Sequence, residues 1–88
     1  MDYIITKHAQ KDIKTLQPTE RKKISRVIEN IEQAKVLKDI PNIQKIKGCK
    51  EPLYRIKVTP YRVFFILVTE VVNILSVTRR NEKTYKKL

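Results

Sequence analysis

The sequence is poor in several residue types on which enzyme and binding sites commonly depend. Among its 88 residues there are one Cys, one Gly, one His and no Trp. A single Cys cannot form an internal disulfide or a paired-cysteine zinc site, and a lone thiol is typical of a reducing cytoplasm. One Gly cannot build a glycine-rich phosphate loop, and one His cannot supply a paired-histidine acid–base site. We therefore expect no metal ion and no cofactor.

Long hydrophobic segments are also missing. No apolar run approaches the roughly 20 residues that a membrane-spanning helix requires. The apolar segment at residues 1–6 is too short for a signal peptide, and charged residues follow it too soon. The length predicts a single domain over residues 1–88. Together these features predict a cytoplasmic protein without a membrane partner.

Acidic residues are the scarce charge class. The sequence has 20 Lys and Arg against 9 Asp and Glu, which is a formal net charge of +11. Residues 1–42 carry 9 basic and 6 acidic residues, a net of +3, whereas residues 43–88 carry 11 basic and 3 acidic residues, a net of +8. Such an excess favours a polyanionic partner, the alternative being a merely solubilising surface. The partner-facing surface is expected mostly in the second half of the chain.

Hydrophobic periodicity in the first half predicts a short strand and two helices. Residues 3–5 indicate the strand, and Thr6 is the expected N-cap of a first helix that ends at Pro18. Thr19 is the expected N-cap of a second helix over residues 20–35. The apolar stripe of the second helix consists of Ile24, Val27, Ile28, Ile31 and Ala34.

The second half has the pattern of consecutive strands. Residues 43–46 indicate the start of a strand, and residues 53–58 alternate between the two faces of a sheet. Residues 61–68 are almost wholly apolar, as in a central strand, and a short hairpin at 69–70 leads to a last strand over 71–78. The predicted fold is α+β: two helices on one face of an antiparallel sheet, in the order β-α-α followed by three or four strands and a short C-terminal tail or helix.

Cations recur on the predicted strands. Arg55 and Lys57 are two residues apart and therefore share one face, and Arg62 follows a tight turn that sets it beside them. Arg79 directly follows the last predicted strand. A group of cations on one sheet face costs stability through mutual repulsion, which suggests a phosphate-binding role. Separate solvated charges at strand edges are the alternative, and the spacing alone does not decide between the two.

These strands also carry a recognisable series of short motifs. In chain order they are Lys47-Gly48, Tyr54-Arg55-Ile56-Lys57-Val58, Tyr61-Arg62-Val63-Phe64-Phe65, Ile74-Leu75-Ser76-Val77, Arg79-Arg80 and Tyr85. The series resembles the RelE/ParE toxin superfamily, and with the two upstream helices the resemblance covers almost the whole chain.

The resemblance implies one of two activities. RelE-like members are ribosome-dependent endoribonucleases that cut mRNA in the A site, whereas ParE-like members inhibit DNA gyrase. This chain has a residue for each position of the RelE-like basic and aromatic set. The ribonuclease is therefore the favoured interpretation. The alternatives are a ParE-like gyrase inhibitor and a non-catalytic, basic nucleic-acid-binding protein.

Roles for individual residues follow from the same resemblance. Lys57 would act as general base or electrostatic partner, Arg62 would clamp the scissile phosphate, and Arg79 would stabilise the transition state or donate a proton. Tyr85 would stack on a base. Because the interval before Tyr85 varies in the family, Arg80 is the alternative to Arg79. The residues expected to bind RNA are Arg55, Lys45, Lys47, Arg80 and Lys83.

The resemblance also implies partners. A cognate antitoxin would form a toxin–antitoxin hetero-oligomer with this chain. The other expected partners are mRNA and the ribosome with its 16S ribosomal RNA.

Overall fold

The computed structural model describes residues 1–48 and 52–79. Its elements are β1 (Asp2–Ile5), α1 (Lys7–Lys14), α2 (Pro18–Gln33), a 3₁₀ turn (Leu37–Asp39), β2 (Ile43–Ile46), β3 (Leu53–Val58), β4 (Tyr61–Val68) and β5 (Val71–Arg79). The predicted α+β class and the order of the elements are confirmed. The predicted C-terminal tail or helix lies outside the described residues.

The strands form one five-stranded sheet in the order β1-β5-β4-β3-β2. Strands β2 to β5 are antiparallel neighbours, as predicted, and β4 is central. The first strand instead pairs with β5 in parallel, so the sheet is mixed. A four-residue strand carries no pattern that identifies its partner, which is why the sequence did not predict this pairing.

Both helices lie on the same face of the sheet and bury their apolar residues against it. Ala9 of α1 is fully buried, as are Ile24 and Ile31 of α2. The strands contribute every second residue to this core, because side chains alternate between the two faces of a strand. The strand residues buried in it are Ile56, Val63, Phe65, Val72, Ile74 and Val77.

The boundary between the two helices differs from the prediction. Helix α1 ends at Lys14, and Pro18 begins α2 instead of ending α1. Gln17, in extended conformation, is the N-cap of α2, so the prediction that Thr19 caps this helix was wrong. Proline disfavours helical geometry in the residue before it but suits the first helical position, where its missing N–H costs nothing. Arg21 stabilises this corner because its guanidinium donates to the carbonyl oxygens of Lys14 and Leu16, both at 3.0 Å.

The far end of α2 is capped by the α-amino group of Met1. This group donates to the carbonyl oxygens of Ile31, Glu32 and Ala34 at 3.1, 2.9 and 2.6 Å. The last carbonyls of a helix have no partner within it, and a positive charge there is favourable. The contact therefore joins the beginning of β1 to the end of α2.

Strand β5 contains a β-bulge. Phe64 pairs with Ser76 while Phe65 pairs with Ile74, so Leu75 is an extra residue in β5. A bulge bends its strand and increases the local twist. It also sets the face on which Ser76 lies.

Helix α1 holds the strand on both sides of this bulge. Thr6, the predicted N-cap, accepts from the Ala9 N–H at 3.3 Å and donates its hydroxyl to the carbonyl oxygen of Ile74 at 2.8 Å. Asp12 accepts from the Val77 N–H at 2.9 Å through its carboxylate Oδ2. Strand β1 ends at Ile5, and the Ile74 carbonyl also accepts from the Thr6 N–H at 3.1 Å. These side chains therefore supply hydrogen-bond partners to backbone groups of β5 where its pairing with β1 ends.

The Asp12 contact leads to a prediction about stability. Asp12→Ala leaves the part-buried Val77 N–H without its acceptor, and we expect the free energy of unfolding to fall by about 1 to 3 kcal/mol. Asp12→Asn keeps an accepting oxygen and should lose less. Urea unfolding followed by circular dichroism measures both, with Glu29→Ala on the exposed surface of α2 as control. Equal stability of Asp12→Ala and wild type would contradict the proposed contribution.

Candidate functional site

The face of the sheet away from the helices carries three of the predicted cations, Arg55, Lys57 and Arg62, which we call the cationic face. Lys57 of β3 and Arg62 of β4 are direct partners, and Thr78 of β5 continues the same row. Lys57 is exposed, whereas Arg62 is only 9% exposed. Like charges directly opposite each other on neighbouring strands are destabilising. This row therefore suits an anion that both cations can contact.

The next row combines a third cation with a buried ring. Arg55 lies opposite Phe64, and Phe64 lies opposite Ser76. Phe64 is 1% exposed but does not belong to the core beneath the helices. The Arg55 guanidinium donates to the side-chain oxygen of Gln44 on β2, which orients it along the sheet. The cations thus lie beside buried apolar surface, where electrostatic attraction to an anion is stronger than in water.

Two other predicted residues lie elsewhere on the sheet. Arg79 is the last residue of β5 and pairs with Tyr61, one row beyond Arg62 and Thr78. Lys45 pairs with Tyr54 on the edge strand β2. Strand alternation assigns both Arg79 and Lys45 to the face that carries the helices, where each is exposed at the margin of the sheet.

The remaining predicted residues belong to the turn after β2 or to the end of the chain. Lys47 is exposed in that turn, next to Gly48, whose φ of 88° lies in the left-handed region that favours glycine. Arg80, Lys83 and Tyr85 lie outside the described residues. The structure therefore brings together Arg55, Lys57 and Arg62, and strand alternation separates both Arg79 and Lys45 from the cationic face.

Three polar residues at this site were missed by the sequence analysis. They are Gln44 beside Arg55, Ser76 beside Phe64, and Thr78 beside Arg62. Ser76 and Thr78 are two residues apart within an otherwise apolar stretch of β5, and that alternation was a usable signal. The sequence gives no comparable signal for Gln44, because its position beside Arg55 depends on how an edge strand pairs.

Neither a metal centre nor a membrane span is found in the part of the chain that the structure describes. Among residues 1–48 and 52–79, no three His, Cys, Asp or Glu side chains are grouped so as to hold a metal ion. Within the same ranges, neither helix has the length and apolar content needed to cross a bilayer.

Comparisons with known proteins agree with the fold and with the motif series. A family model described as the ParE toxin of the type II toxin–antitoxin system parDE matches residues 3–84. A protein of Methanocaldococcus jannaschii that bears the toxin name RelE1 is 31% identical over 84 residues, covering 93% of this chain and 91% of the relative. The chain therefore belongs to the RelE/ParE superfamily of type II toxin–antitoxin toxins, as the motifs predicted.

Solved structures show the same architecture. A chain of the RelB–RelE antitoxin–toxin complex from Methanococcus jannaschii matches with a TM-score of 0.78 at 27% identity, covering 97% of this chain and 98% of that chain. The archaeal RelE–RelB complex from Pyrococcus horikoshii matches with a TM-score of 0.74 at 21% identity, covering 92% and 96%. At 21% identity, the likeness to the Pyrococcus horikoshii chain shows a shared fold alone.

The opposition of Lys57 and Arg62 leads to a second prediction. Lys57→Gln removes a like charge from the row, and we expect the free energy of unfolding at low salt to rise by about 0.2 to 1 kcal/mol. Salt screens such repulsion, so the gain should shrink as sodium chloride is raised to about 1 M, where the Debye length is about 3 Å.

Lys38→Gln, an equal charge change on the exposed 3₁₀ turn, is the matched control for this measurement. Denaturant unfolding at several salt concentrations compares the two variants with wild type. A Lys57→Gln variant that is less stable than wild type at low salt would show that Lys57 is not repelled at its site.

Proposed function

We propose that this toxin is a ribosome-dependent endoribonuclease that cleaves mRNA in the A site. The observation that carries the proposal is the cationic face, where Lys57 lies directly opposite the nearly buried Arg62 with Arg55 in the next row. A likeness of 31% to a relative named RelE1 supports the same activity. Translation takes place in the cytoplasm, which is where this toxin would act.

The proposed reaction uses the RNA's own 2′-hydroxyl. The 2′-oxygen bonds to phosphorus while the bond from phosphorus to the 5′-oxygen breaks, so the products are a 2′,3′-cyclic phosphate and a free 5′-hydroxyl. One proton leaves the 2′-oxygen and one reaches the 5′-oxygen. The protein must position the chain in line and stabilise the added negative charge on the phosphoryl oxygens.

The cations of the site can meet these needs without a histidine pair. Arg62 would clamp the scissile phosphate, because a guanidinium matches two phosphate oxygens at once. Lys57 would act as general base or electrostatic partner, because it lies directly opposite Arg62 on the neighbouring strand. Arg79 would have to extend around the end of the sheet to stabilise the transition state or protonate the leaving oxygen, because strand alternation assigns it to the other face; Arg80 is the alternative for this role. Tyr85 would stack on a base.

The remaining predicted cations would hold the RNA backbone. The position of Arg55, one row from Lys57 and Arg62, supports this role. Lys45, Lys47 and Lys83 would contact mRNA or 16S ribosomal RNA farther from the scissile bond. Contacts of this kind position the substrate without reading its sequence.

A cognate antitoxin is the second proposed partner. Structures of relatives from Methanococcus jannaschii and Pyrococcus horikoshii are toxin–antitoxin complexes with RelB. An antitoxin that covers a net charge of +11 would carry acidic residues, and the two chains would form a hetero-oligomer.

A ribosome assay tests the proposed ribonuclease. Purified protein is mixed with ribosomes programmed with a defined mRNA, and the new 5′ ends are mapped by primer extension. We expect Arg62→Ala to lower the cleavage rate by about 10² to 10³-fold, the usual effect of removing one transition-state donor. Arg62→Lys, which keeps the charge but not the bidentate geometry, should be intermediate.

Two further variants make this assay decisive. Lys57→Ala changes an exposed residue and so tests the site even if Arg62→Ala folds poorly, while Lys38→Ala is the control for loss of one positive charge. Full activity of Arg62→Ala and Lys57→Ala would refute the proposed site.

Inhibition of DNA gyrase is the second candidate function, because the family model that matches residues 3–84 is described as a ParE toxin. Both activities can be compared on one preparation. A protein that blocks supercoiling by gyrase and leaves ribosome-bound mRNA intact would establish the second function and exclude the first.

A further inference from the structure

Thr78 extends the row of cations on the cationic face with a neutral hydrogen-bond donor. Lys57 on β3 is the partner of Arg62 on β4, and Arg62 is the partner of Thr78 on β5, so Arg62 lies between the other two. Residues directly opposite each other on neighbouring strands have Cβ atoms about 5 Å apart, so the three side chains can converge on one anion. Thr78 is half-buried, and its hydroxyl adds a donor without adding charge.

The β-bulge in β5 is what brings Thr78 to this row. If Leu75 were paired regularly, each later residue of β5 would shift by one position, and Val77 would lie opposite Arg62. With Leu75 as the extra residue, Thr78 takes that position, and Val77 joins the core beneath the helices, where it is 5% exposed. Bulges beside active sites commonly redirect a side chain in this way.

Side chains of α1 and its N-cap hold the strand around the bulge. The Thr6 hydroxyl donates to the carbonyl oxygen of Ile74, just before Leu75, at 2.8 Å. The Asp12 carboxylate accepts from the N–H of Val77, the residue before Thr78, at 2.9 Å. The backbone that carries Thr78 is therefore held in place before any substrate binds, and donors organised in advance stabilise developing charge without a cost of reorganisation.

The low exposure of Arg62 suits a short neighbouring side chain. Arg62 is only 9% exposed, so an anion that reaches its guanidinium must approach the sheet closely. A threonine hydroxyl is attached directly to Cβ and can reach an anion only when the anion is close to the sheet. Lys57, which is exposed on the other side of Arg62, can reach the same anion through its flexible four-carbon chain.

We propose that the Thr78 hydroxyl is a third ligand of the scissile phosphate and donates a hydrogen bond to one of its non-bridging oxygens. This role rests on the proposed ribonuclease and adds to it a residue outside the basic and aromatic set. A phosphate bound at Arg62 would be contacted by Lys57 on one side and by Thr78 on the other. Hydroxyl groups of Ser and Thr are common phosphate ligands in nucleic-acid complexes.

Cleavage of mRNA on programmed ribosomes measures the contribution of the hydroxyl. Thr78→Val removes it and keeps a β-branched side chain that suits a strand. We expect the cleavage rate of this variant to fall about tenfold or more, because a hydrogen bond to a charged group is lost. Thr78→Ser keeps the hydroxyl and should stay close to wild type. Thr19→Val makes the same change on the exposed first turn of α2 and should cleave as wild type does.

Sulfur substitution at the cut phosphate separates a direct contact from an effect on structure. Two mRNAs each carry a single phosphorothioate at that position, one as the Rp and one as the Sp isomer. Sulfur accepts hydrogen bonds poorly, so sulfur in place of the oxygen that Thr78 contacts should slow the wild-type protein. In Thr78→Val that isomer should lose less rate relative to the all-oxygen mRNA, because the hydrogen bond is already absent. Equal sulfur effects in the two proteins for both isomers would overturn the proposal.

A binding measurement without ribosomes keeps this proposal separate from the ribonuclease. The probe is a short single-stranded RNA, and NMR follows the Thr78 methyl group and the Arg62 Nε–H. Both signals should shift together, and Thr78→Val should weaken the binding reported by Arg62 about tenfold or more, whereas Thr19→Val should not. A Thr78 methyl signal that does not move while Arg62 shifts would overturn the proposal.

The two proposals can therefore fail independently. A chain that binds the RNA through Arg62 and Thr78 but does not cut mRNA on ribosomes would overturn the ribonuclease alone. A chain that cuts mRNA equally fast with threonine or valine at this position would overturn the role of Thr78 alone.

Discussion

The pairing of β3 with β4 is the constraint on which the candidate site depends. On the helix side of the sheet, Ile56 lies opposite Val63, and the rings of Tyr54 and Phe65 stack with centroids 5.2 Å apart. A shift of one residue would expose this apolar set to water, so burial of the core holds the register. The same register sets Lys57 opposite Arg62. Two cations that repel each other are thus kept adjacent by the free energy of a core on the opposite face.

Much of this arrangement could be predicted from local patterns. Alternation along residues 53–58 separates Arg55 and Lys57 from Ile56, and the short turn before Tyr61 limits where Arg62 can lie. The apolar stripe of α2 indicated a helix that covers one face of the sheet, and the hydroxyl of Thr6 indicated its role as a cap. These predictions depend on neighbours in sequence, for which strand and helix periods are reliable guides.

Other features depend on contacts between distant segments and left no local signal. Three such features are the parallel pairing of β1 with β5, the bulge at Leu75 and the contact of Asp12 with the Val77 N–H. Each depends on residues that are far apart in the sequence, so no local pattern predicts it. Strand alternation sets Lys45 on the other face from Arg55, although both were expected to bind RNA.

In the proposed ribonuclease, cations on a sheet, without a histidine pair, would promote attack by the RNA's own 2′-hydroxyl. The most direct test is an mRNA carrying a single 2′-deoxynucleotide immediately 5′ of the phosphate that is normally cut, presented on ribosomes to the wild-type protein. We predict that cleavage at that phosphate disappears while ribosome binding is unchanged, and that the unmodified mRNA yields a 2′,3′-cyclic phosphate end. Cleavage of the deoxy-substituted mRNA at the same phosphate and rate would contradict it.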